Sequence, residues 1–134
     1  HLSIRRQRQM CIRDRLTSTS PEALKTEQLV DVPLVESVRN YAKLAQAAGL
    51  AGVVCSAHEA ADIASVTGPN FLRVTPGIRP AGSAVGDQSR VATPGNAASM
   101  GSSAIVVGRP ITKADDPVAA YHAIRDDWNA GRKA

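Results

Sequence analysis

Two runs decide the fold of this chain: Val74-Thr75-Pro76-Gly77-Ile78-Arg79-Pro80 and Val106-Val107-Gly108-Arg109-Pro110-Ile111-Thr112. In each run an apolar, strand-like stretch stops at Gly and Arg and is closed by Pro. Gly lets a backbone N–H approach a ligand closely, and the planar guanidinium of Arg suits a phosphate. Helical sequence separates the two runs, so they predict neighbouring strands of a parallel α/β barrel whose last two loops share one anion.

The rest of the sequence alternates between strand and helix patterns. Short strands are predicted to end at 16–18 and to cover 52–56, 71–74 and 104–107. Helices follow each strand, with a capping side chain and then Pro at Ser20, Thr93 and Asp116. Residues 80–92 are predicted to form a mobile Gly/Ser/Ala-rich loop. Four βα units give a parallel sheet and about half of a (β/α)₈ TIM barrel, which typically needs roughly 250 residues.

Length and composition limit the class of protein. The 134 residues suit one domain. No apolar run is long enough for a membrane span, and the charged start of the chain is unlike a secretory signal. Cys11 and Cys55 do not form a disulfide framework, and the apolar run around Cys55 predicts a buried side chain. A reducing, cytoplasmic location without a membrane partner is therefore expected.

The net charge of +4 belongs to one terminal segment. Residues 1–15 carry five Arg and one Asp, which leaves eleven basic and eleven acidic residues in the remainder. The Arg-rich terminus suggests one function outside enzymes, that of a nucleic-acid-binding module. The zero net charge of the remaining residues and the presence of only four aromatic residues argue against this function. Residues 1–15 also lack helical or strand periodicity. We expect them to be a non-native or disordered segment joined to a domain over 16–134.

Arg79 and Arg109 are the strongest candidates for binding a ligand. Each follows the carboxyl end of a predicted strand and lies beside Gly and Pro. The alternative for each is a solvated surface arginine. Gly77 and Gly108 read as turn glycines, a role compatible with backbone N–H donation to a phosphate.

Other polar side chains have simpler explanations. Capping and turn formation account for Thr17 and the hydroxyl residues after it, with ligand contact as the lesser alternative. Gln88 fits an ordinary polar loop position, and His58 fits the start of a helix. No His, Cys or carboxylate residues stand at metal-ligand spacing, so no metal is expected.

Five motifs together resemble one known family. They are Leu16-Thr17-Ser18, Gly52-Val53-Val54-Cys55-Ser56-Ala57, the run 74–80, Gly86-Asp87-Gln88 and the run 107–112. In this order they are similar to the carboxyl-terminal half of bacterial orotidine 5′-phosphate decarboxylase. The resemblance runs from Leu16 to about Asn129, and the last three motifs are specific in their order and spacing.

The resemblance implies a (β/α)₈ barrel that converts orotidine 5′-phosphate to uridine 5′-phosphate in pyrimidine biosynthesis. This is a carbon–carbon lyase reaction without cofactor or metal. The resemblance also implies that Arg79, Gln88, Gly108 and Arg109 contact the substrate phosphate, and that Thr17 contacts the nucleotide near the pyrimidine. The loop 80–90 closes over the substrate in that family, which forms homodimers whose active sites borrow a residue across the interface.

The sequence departs from the family at the catalytic groups. The family's alternating Lys and Asp array, including an Asp-x-Lys-x-x-Asp run, has no match, because Lys25, Lys43, Lys113 and Lys133 fall in helices or loops. We therefore expect a fragment with the phosphate-binding half, no catalytic residue and no activity of its own. The alternative is another phosphate-binding TIM-barrel enzyme that acts on a sugar phosphate.

Overall fold

A computed structural model of the chain describes residues 11–13, 20–27, 29–81 and 92–133. The strands are β1 (Cys11–Arg13), β2 (Gly52–Val54), β3 (Leu72–Thr75) and β4 (Ala104–Ile105). The helices are α1 (Pro21–Thr26), α2 (Leu34–Ala47), α3 (Ala60–Thr67), α4 (Pro94–Ser99), α5 (Arg109–Thr112) and α6 (Pro117–Gly131), and a 3₁₀ turn covers Ala57–Glu59.

The four strands form one parallel sheet in the order β1-β2-β3-β4. Gly52 lies opposite Cys11 on one side and opposite Leu72 on the other. A Cβ at Gly52 would approach the Cβ of Leu72 to 2.5 Å, so this position of the sheet requires glycine. Spatial order follows chain order without the reversal of a doubly wound sheet, and this confirms the predicted half of a TIM barrel.

The core lies between the sheet and its helices. Val53 and Cys55 pack with Val38, Ala42 and Ile63 of α2 and α3 in one buried cluster. A second buried cluster joins the loop after β3 to α4, and Ile105, Val107 and Trp128 pack against it. Because side chains alternate across a strand, the intervening residues of each strand lie on the opposite, concave face of the sheet.

The amino ends of α4 and α6 follow the predicted capping chemistry. Thr93 Oγ1 accepts a hydrogen bond from the Asn96 N–H at 3.2 Å. One carboxylate oxygen of Asp116 accepts from Val118 and Ala119 at 3.0 and 2.9 Å. The short helix α5 was not predicted, because a single turn leaves no apolar periodicity to detect.

Part of the basic segment 1–15 forms a strand in the structure. Cys11–Arg13 pairs with β2 as a parallel strand, although the sequence there shows no strand alternation. Three residues are too few to show that alternation, and pairing with a buried neighbour decides their conformation. The assignment of 1–15 to a segment apart from 16–134 remains a prediction.

Candidate functional site

The carboxyl ends of β3 and β4 lie side by side. Thr75 is the register partner of Ile105, and the Val106 N–H donates to the Thr75 carbonyl at 2.9 Å. Arg79 and Arg109 each follow these paired residues by four positions. The loops that carry Arg79 and Arg109 therefore both begin at the carboxyl ends of adjacent strands, as the two sequence runs predicted.

The loop after β3 turns sharply and buries its arginine. Gly77 has a φ of 80°, a left-handed conformation that favours glycine. Ile78 is fully buried and bridges to Ala92, and the Arg79 N–H donates to the Ala92 carbonyl at 3.0 Å. The Arg79 side chain is 9% exposed and its Nη1 donates to the Ile78 carbonyl at 3.0 Å. This burial rules out a solvated surface arginine at this position.

The loop after β4 is more open. Gly108 precedes α5, and its carbonyl accepts from Ile111 and Thr112 at 2.9 and 3.0 Å. No atom lies within 4 Å of a Cβ placed on Gly108, so the backbone there faces open space. Arg109 is the first residue of α5 and is exposed. The alternative of a solvated surface arginine is therefore compatible with its position.

A cleft of about 450 Å³ lies beside these loops, but its lining does not suit an anion. Pro80 and Pro110, the residues after the two arginines, form part of its wall. The other lining residues are mainly apolar, and the charged one among them is Asp127, which accepts from the Gly95 N–H at 3.0 Å. The arginines therefore remain the better candidates for anion binding.

Two of the predicted binding residues, Thr17 and Gln88, lie outside the described residues. His58 lies in the 3₁₀ turn and is exposed. Across the described ranges, no three His, Cys, Asp or Glu side chains come close enough to hold a metal ion. None of the helices among these residues is long and apolar enough to cross a membrane.

Ser56 at the carboxyl end of β2 was not singled out by the sequence. It is fully buried, and its N–H donates to the Glu59 carboxylate at 3.1 Å. Its own Oγ has no hydrogen-bond partner in the described part of the chain. The Ser-x-x-Glu spacing was the signal that could have identified this strand-end turn.

Arg73 is a structural residue at the opposite, amino end of β3. It is 8% exposed. Its Nε donates to the Gly101 carbonyl at 2.8 Å, and its Nη1 donates to the Phe71 carbonyl at 2.6 Å. One guanidinium thus ties the start of β3 to the loop before β4.

Replacing Arg73 by Met should lower the free energy of unfolding by about 3 kcal/mol, because buried carbonyls lose a charged donor. Urea denaturation followed by circular dichroism measures the change. The control is Arg125→Met, an exposed arginine paired with its neighbour Asp126, for which at most about 0.5 kcal/mol is expected. Equal losses in the two variants would contradict the role given to Arg73.

Together the fold and the two arginine loops define the class, a TIM-barrel protein of which this chain supplies four βα units. A sequence profile of the Orotidine 5′-phosphate decarboxylase / HUMPS family matches residues 5–124. The chain belongs to this family. The match begins inside the basic segment that the sequence patterns set apart.

Curated relatives narrow the comparison. Proteins named orotidine 5′-phosphate decarboxylase from Streptococcus uberis and Streptococcus mutans are 59% and 57% identical to this chain, over 86% and 85% of it. The match covers 50% of each relative. The chain thus spans about half the length of the curated relatives it matches, which agrees with four βα units.

Solved structures agree with the fold. The crystal structure of orotidine 5′-phosphate decarboxylase from Lactobacillus acidophilus matches with a TM-score of 0.71 and 47% identity. It is covered over 47% of its length, against 87% of this chain. An uncharacterized conserved protein from Geobacillus kaustophilus matches with a TM-score of 0.70 and 42% identity, over 86% of this chain and 46% of that one.

Proposed function

We propose that this chain carries the phosphate-binding half of an orotidine 5′-phosphate decarboxylase. The observation that supports this most is the equal placement of Arg79 and Arg109, four residues beyond a register pair of adjacent parallel strands. The loops after the last two strands are where barrels of this kind bind phosphate. The names of relatives at 57–59% identity favour orotidine 5′-phosphate over a sugar phosphate.

Each binding residue has a separate task in this proposal. The guanidinium groups of Arg79 and Arg109 supply charge-assisted donors to the phosphate, and the backbone at Gly108 approaches it closely. Gln88 adds an amide donor from the loop after Pro80. Thr17 contacts the nucleotide near the pyrimidine.

In this proposal, binding of the phosphate contributes to catalysis indirectly. The phosphate lies away from the carbon–carbon bond that breaks, and binding energy gained there is available to position and desolvate the reacting centre. The groups that destabilise the substrate carboxylate and protonate the product carbon must come from outside this sequence. Lys25 lies on α1 paired with Asp31 at 2.9 Å, and Lys43 is exposed on α2. A cytoplasmic location and a full-length homodimer belong to the same proposal.

Ligand titration separates this proposal from a sugar-phosphate enzyme. Isothermal titration should show that uridine 5′-phosphate binds more tightly than ribulose 5-phosphate, and both more tightly than uridine. The same preparation should not decarboxylate orotidine 5′-phosphate, because the chain lacks the Lys and Asp array. Preference for ribulose 5-phosphate would favour the alternative, and turnover would overturn the assignment of catalysis to groups outside this chain.

A further inference from the structure

The short helix α4 begins directly after the residue that holds the backbone of Arg79. The Arg79 N–H donates to the Ala92 carbonyl at 3.0 Å, and Ile78 forms a parallel bridge with Ala92. Thr93 follows Ala92 in the chain and is the N-cap of α4. The position of the first turn of α4 therefore determines where the Arg79 backbone is held.

A side chain of α6 holds this first turn. One carboxylate oxygen of Asp127 accepts from the Gly95 N–H at 3.0 Å. The first N–H groups of a helix have no acceptor within the helix, so Asp127 satisfies a donor that α4 itself leaves open. The negative charge of the carboxylate also suits the amino end of a helix, where the backbone dipoles are positive.

The two helices approach each other closely at this point. A Cβ placed on Gly95 would lie 2.7 Å from the other carboxylate oxygen of Asp127 and 3.2 Å from the Asp127 carbonyl oxygen. A Cβ placed on Gly131 would lie 2.7 Å from the Gly95 Cα. Because close-packed atoms leave little room for movement, α4 cannot shift easily against α6.

The helix α6 also adjoins the loop after β4. Pro110 follows Arg109 in α5 and lines the cleft of about 450 Å³ together with Ala120 and Ala123 of α6. Asp127, about one turn further along α6, lines the same cleft. One helix therefore lies beside the loops that carry both arginines.

We propose that Asp127 is a positioning residue of the phosphate site and acts through Arg79. Its carboxylate holds the first turn of α4, this turn holds Ala92, and the Ala92 carbonyl holds the Arg79 backbone beyond the end of β3. A carboxylate in contact with a phosphate would repel it, so Asp127 acts through the backbone and not by touching the ligand. This inference rests on the phosphate-binding function proposed above.

Isothermal titration of Asp127→Ala with uridine 5′-phosphate tests the effect on the ligand. The affinity should fall about three- to tenfold, the size expected for a residue that acts on a site without touching the ligand, and the affinity for uridine should not change. Asp127→Asn keeps a side-chain oxygen that can accept from Gly95 and should recover most of the loss. The matched control is Asp126→Ala, which removes an exposed carboxylate paired with Arg125 on the same helix and should leave both affinities unchanged.

Combining Asp127→Ala with Arg79→Ala distinguishes positioning from general support of the fold. If Asp127 acts through Arg79, its replacement should not weaken uridine 5′-phosphate binding further once the Arg79 guanidinium is absent. A loss of the same size in the Arg79→Ala variant would overturn the proposal. An equal loss of uridine affinity in Asp127→Ala would also overturn it, because Asp127 would then support the fold as a whole.

Hydrogen exchange of the Arg79 backbone N–H tests the same link without a ligand. Asp127→Ala should speed this exchange about threefold or more, because the Ala92 carbonyl is held less firmly. The Cys55 N–H, which donates to the Val74 carbonyl at 3.0 Å, should keep its rate. Unchanged exchange at Arg79 would overturn the proposal. A wild-type chain that binds uridine 5′-phosphate no better than uridine would instead overturn the phosphate-binding function, and the exchange rates would still decide whether Asp127 positions Arg79.

Discussion

Replacing Arg79 by Ala is expected to weaken the binding of uridine 5′-phosphate by about 10- to 150-fold. A hydrogen bond to a charged group contributes about 1.5–3 kcal/mol, which corresponds to this range of affinity. Arg79 is buried beside Ile78 and Ala92 and follows the end of β3, so its guanidinium is held in place before a ligand binds. Isothermal titration of the variant with uridine 5′-phosphate measures the effect.

Three comparisons make this result specific to the phosphate. Uridine, which lacks the phosphate, should bind the variant and the wild type equally. Arg79→Lys keeps the charge but loses the planar, forked set of donors of the guanidinium. Its affinity for uridine 5′-phosphate should therefore fall between that of the wild type and that of Arg79→Ala. Arg125→Ala, which removes an exposed arginine on α6, should leave the affinity unchanged. An equal loss of uridine and uridine 5′-phosphate affinity would show that Arg79 supports the fold and not the phosphate.

The second large effect is expected at the contact between α4 and α6. Gly131→Ala should lower the free energy of unfolding by about 3 kcal/mol, the upper part of the range for overpacking a filled site. A Cβ there would lie 2.7 Å from the Gly95 carbonyl carbon and Cα, which are backbone atoms that cannot rotate away. This strain outweighs the gain of at most about 1 kcal/mol that Ala brings to a helix.

Urea denaturation of Gly131→Ala measures this effect. The matched control is Asn129→Ala on the same helix, an exposed position where the change should stay within about 0.5 kcal/mol. An unchanged or raised stability of Gly131→Ala would mean that α4 and α6 do not approach each other at Gly95. The loss should also weaken the positioning of the loop after β3, because α4 holds Ala92 and Thr93 in place.

The repeating βα pattern could be predicted because its signals are local. Caps such as Thr93 and Asp116 act within one helical turn, and the apolar run of β2 is continuous. The bounds of β1 could not be predicted, since its conformation depends on pairing with β2. The turn α5 is too short to carry a periodic signal.

For the candidate site, the sequence could predict only where in the sheet its two arginines lie. The parallel strand pattern predicted that Arg79 and Arg109 follow the carboxyl ends of neighbouring strands, and the register of β3 with β4 agrees. The different burial of these two arginines could not be predicted, because it depends on the distant bridge between Ile78 and Ala92. The hydrogen bonds that Arg73 donates to backbone carbonyls at the amino end of the sheet could not be predicted either, because they also depend on contacts with distant parts of the chain.

A double-mutant cycle on Arg79 and Arg109 tests most directly whether the two loops hold one phosphate. The affinity for uridine 5′-phosphate is measured for the wild type, for Arg79→Ala, for Arg109→Ala and for the double variant. Residues that bind the same group show coupling energies of about 0.5–3 kcal/mol. We expect the double variant to lose less affinity than the product of the two single losses, with uridine binding unaffected throughout. Independent losses, or no loss from either substitution, would contradict a shared phosphate site at the ends of β3 and β4.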